Sequence, residues 1–588
     1  MSATQITPDL LSVPQASARR ASRFRNGALC ALVVAACLWG CWPVFEMGIM
    51  DDWSYARTVQ VYASTGHFAY NGWATAMLGW QIVWGALFVK LFGFSFTILR
   101  VAMLPIAMAS IFLFHEILRK FGVSPRNAVI GTLTLGMSPL FLPLGDSFMS
   151  DVPGLFVILL CLWCCQRAIA SPSARAAILW LLAAAATNVA GGTVRQIAWL
   201  GALVMVPSAG WMLRRSRGVL PASIAIWLAS FASIEMCMHW FARQPYSVPE
   251  SILAPILYAK MAGVMHIPGD IASSLLCSLL ITFPIVVAWA GSFRQMKRST
   301  LPKFGLLLGA FTLLQFAGRR SLPWLSHLYI TEFTRHRTGA MDIPAVEDFL
   351  LPHWASAVAG SLVIALGLLL VVDVRESLRP SLRESLRRPQ ALNAALLLGP
   401  YTSAYFLLLC PRSAIGGLFD RYLLGIVPVF IIWLLLFFES KRGPALPRSS
   451  VVALCVLGLL GIAGTHDWFA WQRARVAALQ EVLASGVPRT AIEGGIDIDG
   501  STQIQNGYIN YPGLRVPANA WHRYPELDAR AQQCRWDVMN WAPSVVPQFS
   551  IGFDPEPCFT QTDYPPVRYR SWLPPFDHTV IVRKLVDQ

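Results

Sequence analysis

The chain has 588 residues, of which 55% are hydrophobic and only 13% are charged. Soluble domains carry about 25% charged residues, so this composition excludes an ordinary soluble protein and is typical of many membrane spans. The formal net charge of +15 would suit a nucleic-acid binder. However, the positive charges lie in short linkers between apolar runs, where they set membrane topology. The expected partner is therefore the lipid bilayer, with no nucleic acid.

The chain begins with a basic segment, and residues 1–26 are expected to be a cytoplasmic tail. Four arginines in it (Arg19, Arg20, Arg23 and Arg25) precede the first apolar run, 27–45. That run is long enough to span a membrane and lacks an obvious small-residue cleavage site. It therefore predicts a first transmembrane helix that is retained, and not a cleaved signal peptide.

Further apolar runs of span length follow as far as residue 466, and together they form an expected multi-span domain, 27–466. They are 96–115, 127–145, 152–170, 176–191, 196–213, 218–241, 271–291, 304–318, 354–373, 391–410, 421–438 and 449–466. About thirteen spans are therefore predicted. Residues 78–92 are predicted to lie in the interface as a helix, because Trp80, Trp84 and Lys90 interrupt their apolar character.

The distribution of charge predicts the orientation. With a cytoplasmic N-terminus, the cytoplasmic segments hold 24 Lys and Arg, and the opposite loops before residue 466 hold 10. This asymmetry follows the positive-inside rule. It predicts a multi-pass protein of the inner (plasma) membrane whose outer loops are 46–95, 242–270 and 317–353, with the C-terminal region on the periplasmic or extracellular side.

Residues 467–588 have no apolar run of span length and are rich in Pro, Gly, Asp and Trp. A short helix, Trp468–Ala484, is predicted to lead into strand-like and turn-like segments such as Gly494–Gly507 and Thr579–Leu585. The fold class is therefore an all-α polytopic membrane protein with a small external α/β or β-rich C-terminal domain. Cys534 and Cys558 are predicted to form a disulfide there, because that compartment is oxidising.

Acidic residues mark the expected outer ends of two spans. Asp51 and Asp52 directly follow the first span, and Asp151 opens the fourth. Carboxylates at a membrane boundary are costly unless they are solvated or used. One interpretation is helix capping at each place. The other is that Asp51, Asp52 and Asp151 are catalytic, as general bases or metal-ligand carboxylates at the mouth of a cavity.

Arginines lie at the same expected face. Arg195 and Gln196 are at the outer end of the sixth span, Arg421 and Tyr422 open the twelfth, and Arg319 and Arg320 begin a long outer loop. These residues could be interfacial anchors or could bind a substrate phosphate. The His and Glu residues of the 319–353 loop lack the spacing of HExxH, so no cofactor is assigned, and a divalent metal stays open.

The carboxylates and the arginines of this face together suit one type of reaction. Arginine stabilises a leaving phosphate, while a carboxylate deprotonates or orients the acceptor, so transfer from an anionic lipid phosphate is indicated. An alternative is a transporter or flippase of lipid-linked saccharides, although such sites lie near the membrane midplane, where this chain has few charges. A third alternative is a structural or assembly protein, which would need no clustered carboxylates.

Three short motifs resemble those of C-type (GT-C) membrane glycosyltransferases, in particular the bacterial relatives of protein mannosyltransferases and of the lipid A aminoarabinose transferase. Met50-Asp51-Asp52-Trp53 resembles their Asp-Glu motif, Ser150-Asp151-Val152-Pro153 their second aspartate motif, and Asp420-Arg421-Tyr422-Leu423-Leu424 their Arg-Tyr-Leu-Leu motif. The resemblance covers roughly residues 27–440. In two places the chain departs from it, with Asp-Asp in place of Asp-Glu and no Glu-Lys-Pro element before residue 78.

The resemblance implies an inverting glycosyltransferase of the cell envelope. Its donor would be a polyprenyl-phosphate-linked sugar, and its acceptor a lipid, a glycan or a protein. Asp51 would be the base or the carboxylate that orients the acceptor, and Arg195 and Arg421 would bind the donor phosphate.

Overall fold

The computed structural model describes residues 12–73, 75–249, 261–317, 353–378, 389–416, 418–505, 542, 544–552, 558–574 and 576–586. These residues are mostly helical, with one small sheet near the C-terminus. The helices are α1 Ser12–Gly40, α2 Asp52–Thr65, α3 Gly79–Phe92, α4 Phe96–Lys120, α5 Pro125–Gly136, α6 Phe141–Gly145, α7 Asp151–Ile169, α8 Ala174–Gly192, α9 Val206–Met212, α10 Val219–Ala242, α11 Met261–Ile281, α12 Phe283–Val286, α13 Leu301–Ala317, α14 His353–Leu378, α15 Pro389–Gly416, α16 Val427–Arg442, α17 Arg448–Ala484 and α18 Ile496–Gln503.

Within the described residues, six helices are long and apolar enough to cross a membrane, or seven if one bent pair forms a single span. The six lie in α4, α7, α8, α10, α15 and α17. The chain is thus a multi-pass helical protein, and the thirteen spans expected from the sequence remain a prediction. The apolar segment expected in the interface is the 14-residue helix α3, with its N-cap, Leu78, in the left-handed region.

Several predicted spans are interrupted helices. Run 127–145 divides into α5 and α6, and run 196–213 consists of a 3-10 turn, a π-helical turn and α9. In run 271–291 the helix axis bends by 71° between residues 281 and 283. Pro284 follows at the first turn of α12, where a missing backbone N–H and a fixed φ favour a new helix start. Apolar composition alone does not reveal such breaks.

The core of the helical region is formed by α1, α4, α7 and α8, which pack side by side. Glycines let helices of this bundle, including α5 beside α1, come close. A Cβ on Gly136 would lie 2.5 Å from Val34, and one on Gly191 would lie 2.5 Å from Val157. Such contacts have no room for a larger side chain, so the glycines fix how tightly the bundle closes.

Helix α17 joins the bundle to the C-terminal region without a break. It runs for 37 residues, Arg448–Ala484, across the boundary expected at residue 467. The Asp467 carboxylate accepts the backbone N–H groups of Trp572 and Leu573 at 2.7 and 2.9 Å. His466 stacks on Trp572 with a centroid separation of 4.0 Å. The sheet is therefore fastened to the end of the membrane helix.

The C-terminal sheet has strands β1 Ile492–Glu493, β2 Phe549–Gly552, β3 Phe559–Gln561, β4 Val567–Arg570 and β5 Asp577–Leu585. Strand β5 pairs antiparallel with β2, β3 and β4, and β1 pairs parallel with β2. The predicted strand at Thr579–Leu585 lies within β5.

The predicted strand-like segment Gly494–Gly507 is wrong, because α18 occupies most of it. The Asp499 carboxylate accepts the Gly494 N–H at 2.9 Å, and Asp497 and Asp499 lie in the first helical turn, where acidic residues favour a helix. In the same region Cys558 is disulfide-bonded. Its predicted partner, Cys534, lies outside the described residues.

Candidate functional site

The ring of Tyr422 lies at the centre of a group of charged side chains. Tyr422 belongs to a 3-10 turn, Asp420–Leu423, just before α16. Two tyrosines of α15 hold this turn, since the Tyr405 hydroxyl donates to the Tyr422 carbonyl at 2.6 Å and the Tyr401 hydroxyl donates to the Gly425 carbonyl at 3.2 Å. Tyr401 and Tyr405 are buried, so the position of the turn is set by the membrane helix beside it.

Asp51 and Arg421 form the first ion pair at this ring. The Arg421 Nη2 atom donates to Asp51 Oδ2 at 3.0 Å, and the indole Nε1 of Trp73 donates to Asp51 Oδ1 at 2.9 Å. Asp51 is the N-cap of α2 by position, but its side chain makes no capping hydrogen bond. Its side chain is still 27% exposed and that of Arg421 is 15% exposed, so both groups can be reached by a ligand.

Asp151 and Arg195 form the second ion pair, with 2.7 Å between Arg195 Nη1 and Asp151 Oδ1. Asp151 is the first residue of α7, and the N-cap is Ser150, not Asp151. Arg195 follows the end of α8 and lies along the start of α7 over Gly154, where a Cβ would lie 3.3 Å from the Arg195 side chain. The absence of a side chain at Gly154 thus makes room for the pair.

A third arginine, Arg412 of α15, faces the same ring. The guanidinium carbons of Arg195, Arg421 and Arg412 lie 5.4, 5.7 and 5.9 Å from the Tyr422 ring centroid. Guanidinium groups favour such positions next to an aromatic ring. We call Asp51, Asp151, Arg195, Arg412, Arg421 and Tyr422 the Tyr422 cluster.

The charges of the Tyr422 cluster act on one another. Burial by itself would lower the pKa of Arg421, but Asp51 and Asp151 raise it above its ordinary value. The pKa of Arg195 is likewise raised by Asp151 against the effect of burial. Both arginines therefore stay charged, and three guanidiniums against two carboxylates leave one net positive charge, which suits an anionic ligand.

Asp52, the neighbour of Asp51, lies apart from the Tyr422 cluster. Its two carboxylate oxygens accept the backbone N–H groups of Ile49 and Phe148 at 2.6 and 3.1 Å, and only 1% of the residue is exposed. Burial, which outweighs the positive charge of Arg100 nearby, raises its pKa to about 6. Asp52 therefore holds the turn before α2 and is not part of the Tyr422 cluster.

The remaining predicted residues lie elsewhere. Gln196 donates through Nε2 to the Thr75 carbonyl at 2.9 Å, so its amide ties α8 to the segment before α3. Arg319 and Arg320 lie outside the described residues. Among the described residues, no group of three or more His, Cys, Asp and Glu could hold a metal ion. Asp51 and Asp151 each face an arginine, a pairing that does not fit a divalent cation.

Three residues near the cluster were not predicted from the sequence as site residues. Arg412 follows the apolar run 391–410 and was counted there only as a topology charge. Trp73 looks like an interfacial aromatic residue, yet it donates to Asp51. Tyr55 is buried in α2, and its pKa is raised by burial and by Asp51. Only for Arg412 was there a signal, namely a cation close to the Arg421 turn in sequence and on the same expected face.

No protein-family model matches this sequence, and no curated protein matches it either. The chain is similar to several solved structures. The Saccharomyces cerevisiae protein O-mannosyltransferase Pmt1–Pmt2 complex, bound to the sugar donor, is 15% identical with a TM-score of 0.31, over 40% of this chain and 34% of that one. The oligosaccharyltransferase AglB of Archaeoglobus fulgidus, in complex with an inhibitory peptide and a dolichol-phosphate, is 14% identical with a TM-score of 0.42, over 85% and 61%.

A third solved structure, ArnT from Cupriavidus metallidurans bound to undecaprenyl phosphate, is 14% identical with a TM-score of 0.34, over 94% of this chain and 97% of that one. The chain spans about a third of the length of the first structure and about three fifths of the second. All three are GT-C fold glycosyltransferases, the kind of protein that the motifs resemble.

Proposed function

We propose that this protein is an inverting membrane glycosyltransferase that moves a sugar from a polyprenyl-phosphate-linked donor to an acceptor on the non-cytoplasmic side. The observation that carries the proposal is the Tyr422 cluster, in which two carboxylates and three arginines surround one aromatic ring. The positive-inside charge distribution supports its placement on the non-cytoplasmic side, with a cytoplasmic N-terminus. The bilayer would then deliver the lipid donor directly to the cluster.

The proposed reaction begins when the donor phosphate binds Arg421 and Arg412. Arg421 then exchanges its ion pair with Asp51 for the phosphate, which frees Asp51 Oδ2 while Trp73 keeps hold of Oδ1. The acceptor hydroxyl oxygen attacks the anomeric carbon of the sugar, and its proton passes to Asp51. The bond from the anomeric carbon to the phosphate oxygen breaks with its electron pair on that oxygen, and polyprenyl phosphate leaves.

The arginines would carry most of the electrostatic stabilisation, because negative charge develops on the leaving phosphate oxygen. Arg195 lies on the same ring but is paired with Asp151, so the proposal requires no direct contact between Arg195 and the phosphate. Attack from the side opposite the phosphate inverts the anomeric centre. Asp151 balances Arg195 and leaves the cluster with one net positive charge for an anionic donor.

A panel of polyprenyl-phosphate sugars offered to the purified protein tests this proposal. We expect one donor to be consumed with release of polyprenyl phosphate, and we expect Asp51→Asn to lose about 10²- to 10⁴-fold in rate while remaining folded, as for removal of a general base. The control is Glu481→Gln, which changes an exposed carboxylate of α17 in the same way.

Wild-type turnover by Asp51→Asn would refute the catalytic role. Movement of an intact lipid-linked sugar across a vesicle membrane, with no sugar transferred, would instead favour the flippase alternative.

A further inference from the structure

The C-terminal helix α18 lies against the first residues of α2, beside Asp51. Gly500 of α18 faces the indole of Trp53, and a Cβ at position 500 would lie 2.5 Å from Trp53 Cζ2. Trp53 is 2% exposed and forms a small apolar cluster with Ile504 at the end of α18, against which Trp73 packs. The contact therefore tolerates no side chain at Gly500.

Trp53 is also fixed from the opposite direction. A Cβ on Gly48 would lie 2.5 Å from Trp53 Cβ, so the turn before α2 closes on the same residue. Trp53 is thus held between Gly48 and Gly500. Gly48 contacts the Cβ and backbone of Trp53 and Gly500 contacts its ring, so a larger residue at either position would overpack this side chain.

The contact continues from Trp53 to the carboxylate. The rings of Trp53 and Trp73 lie 5.1 Å apart with an interplanar angle of 49°, an arrangement typical of packed aromatic pairs. The Nε1 of Trp73 then donates to Asp51 Oδ1 at 2.9 Å. Gly500, Trp53, Trp73 and Asp51 form a continuous series of contacts.

Helix α18 is itself held firmly by buried polar contacts. Arg475 of α17 donates to Asp497 at 3.3 Å and also to the Gly494 carbonyl. Arg489 donates to the Thr502 hydroxyl at 2.9 Å. Because α17 continues from the membrane, these contacts connect the position of α18 to the helical bundle.

We propose that α18 positions the catalytic carboxylate, with Gly500, Trp53 and Trp73 as positioning residues that hold Asp51 in line with the acceptor. This proposal rests on the proposed function, since it concerns the geometry of the same Asp51. It gives the C-terminal region a part in the transfer step: α18 fixes Trp53, Trp53 fixes Trp73, and Trp73 leaves one Asp51 oxygen available for the proton.

The test is Gly500→Ala, with Gly399→Ala as its matched control, since a Cβ at Gly399 would meet nothing within 4 Å. We expect Gly500→Ala to lower kcat about 10- to 100-fold, because small misplacements of a catalytic group cost this much, with the donor KM within about twofold. Hydrogen–deuterium exchange of residues 48–56 should be about tenfold faster in Gly500→Ala and unchanged in Gly399→Ala.

Two further variants separate positioning from general destabilisation. Trp53→Phe removes the ring atoms that a Cβ at position 500 would meet, so the double variant Gly500→Ala/Trp53→Phe should be more active than the two single effects predict. Trp73→Phe keeps a ring but removes the donor to Asp51, and it should lower kcat with wild-type exchange in 48–56.

Wild-type kcat together with wild-type exchange in Gly500→Ala would overturn the proposal, and so would strictly additive effects in the double variant. The exchange measurement needs no activity. If no donor were turned over by the wild type, the proposed function would fail, while the exchange data would still decide whether α18 controls the Asp51 turn.

Discussion

Asp51 and Asp52 are neighbours in sequence, but their carboxylates lie in regions that differ in solvent exposure and in the groups that donate hydrogen bonds to them. Asp51 belongs to the Tyr422 cluster, where a guanidinium and an indole N–H hold a carboxylate that remains partly exposed. Asp52 lies in the buried turn behind it, where two backbone N–H groups take both of its oxygens. The difference teaches that two adjacent carboxylates are distinguished by their hydrogen-bond donors and by their exposure: only Asp51 is paired with a side-chain cation and is accessible to a ligand, as our proposal for it requires.

The same contrast applies to the arginines of the two regions. Arg421 pairs with the partly exposed carboxylate of Asp51, which the donor phosphate replaces in the reaction that we propose. Arg100 is buried, and its guanidinium donates to the carbonyls of Pro43, Phe45 and Met47. By donating to three carbonyls of one short segment, Arg100 fixes the backbone that leads to Asp51. One arginine is available to substrate, and the other shapes the backbone around it.

After Asp51→Asn, the largest effect is expected for Arg421→Gln. It removes the cation that we assign to the leaving phosphate, so kcat/KM should fall about 10²- to 10³-fold, while the melting temperature should stay close to that of the wild type. Transfer kinetics and thermal unfolding in the same detergent measure both quantities. A loss of only a fewfold would show that Arg421 does not bind the donor phosphate, and the contrast drawn between Arg421 and Arg100 would then fail.

Asp52→Ala should have the opposite signature. It leaves two buried N–H groups without their acceptor, which should lower the free energy of unfolding by about 2–3 kcal/mol, whereas the kcat of the folded fraction should stay near that of the wild type. The control is Glu481→Ala on the exposed face of α17, which should leave both unchanged. If the Asp52→Ala protein were stable but inactive, Asp52 would have a catalytic role instead of a structural one.

The pH dependence of stability should identify Asp52 directly. Its folded pKa is raised to about 6 from an ordinary value of 3.8, because burial disfavours the charged form. The folded state therefore binds this proton more tightly than the unfolded state does, so stability falls as pH rises from about 4 to 6. The melting temperature of Asp52→Asn should lack this decline, and parallel curves for wild type and variant would contradict the assignment.

Arg412→Gln should give the smallest effect. Arg412 approaches Tyr422 without an ion pair among the described residues, so its removal should weaken donor binding without disturbing Asp51. We expect the donor KM to rise about tenfold, equivalent to about 1.4 kcal/mol, with kcat within about twofold. Titration at low and moderate salt checks this, since the remaining binding should depend less on ionic strength. An unchanged KM would remove Arg412 from the donor site.

Much of this protein was determined by its sequence alone. The apolar runs predicted the helices, because a segment that crosses a membrane must satisfy its own backbone hydrogen bonds. The motifs placed Asp51, Asp151, Arg195 and Arg421 at helix ends, and the structure brings these four together. Both features are encoded in short stretches of chain.

Only the tertiary structure decided the rest. Asp51 and Asp52 could not be distinguished in the sequence, because one acceptor contact of Asp52 comes from Phe148, far along the chain. The role of Arg412 depended on the Tyr422 ring of the following turn, and that of Trp73 on the position of Asp51. The segment at Gly494–Gly507 became a helix that packs on Trp53. In each case the deciding contact joins residues of different elements, and such contacts leave no periodic trace in the sequence.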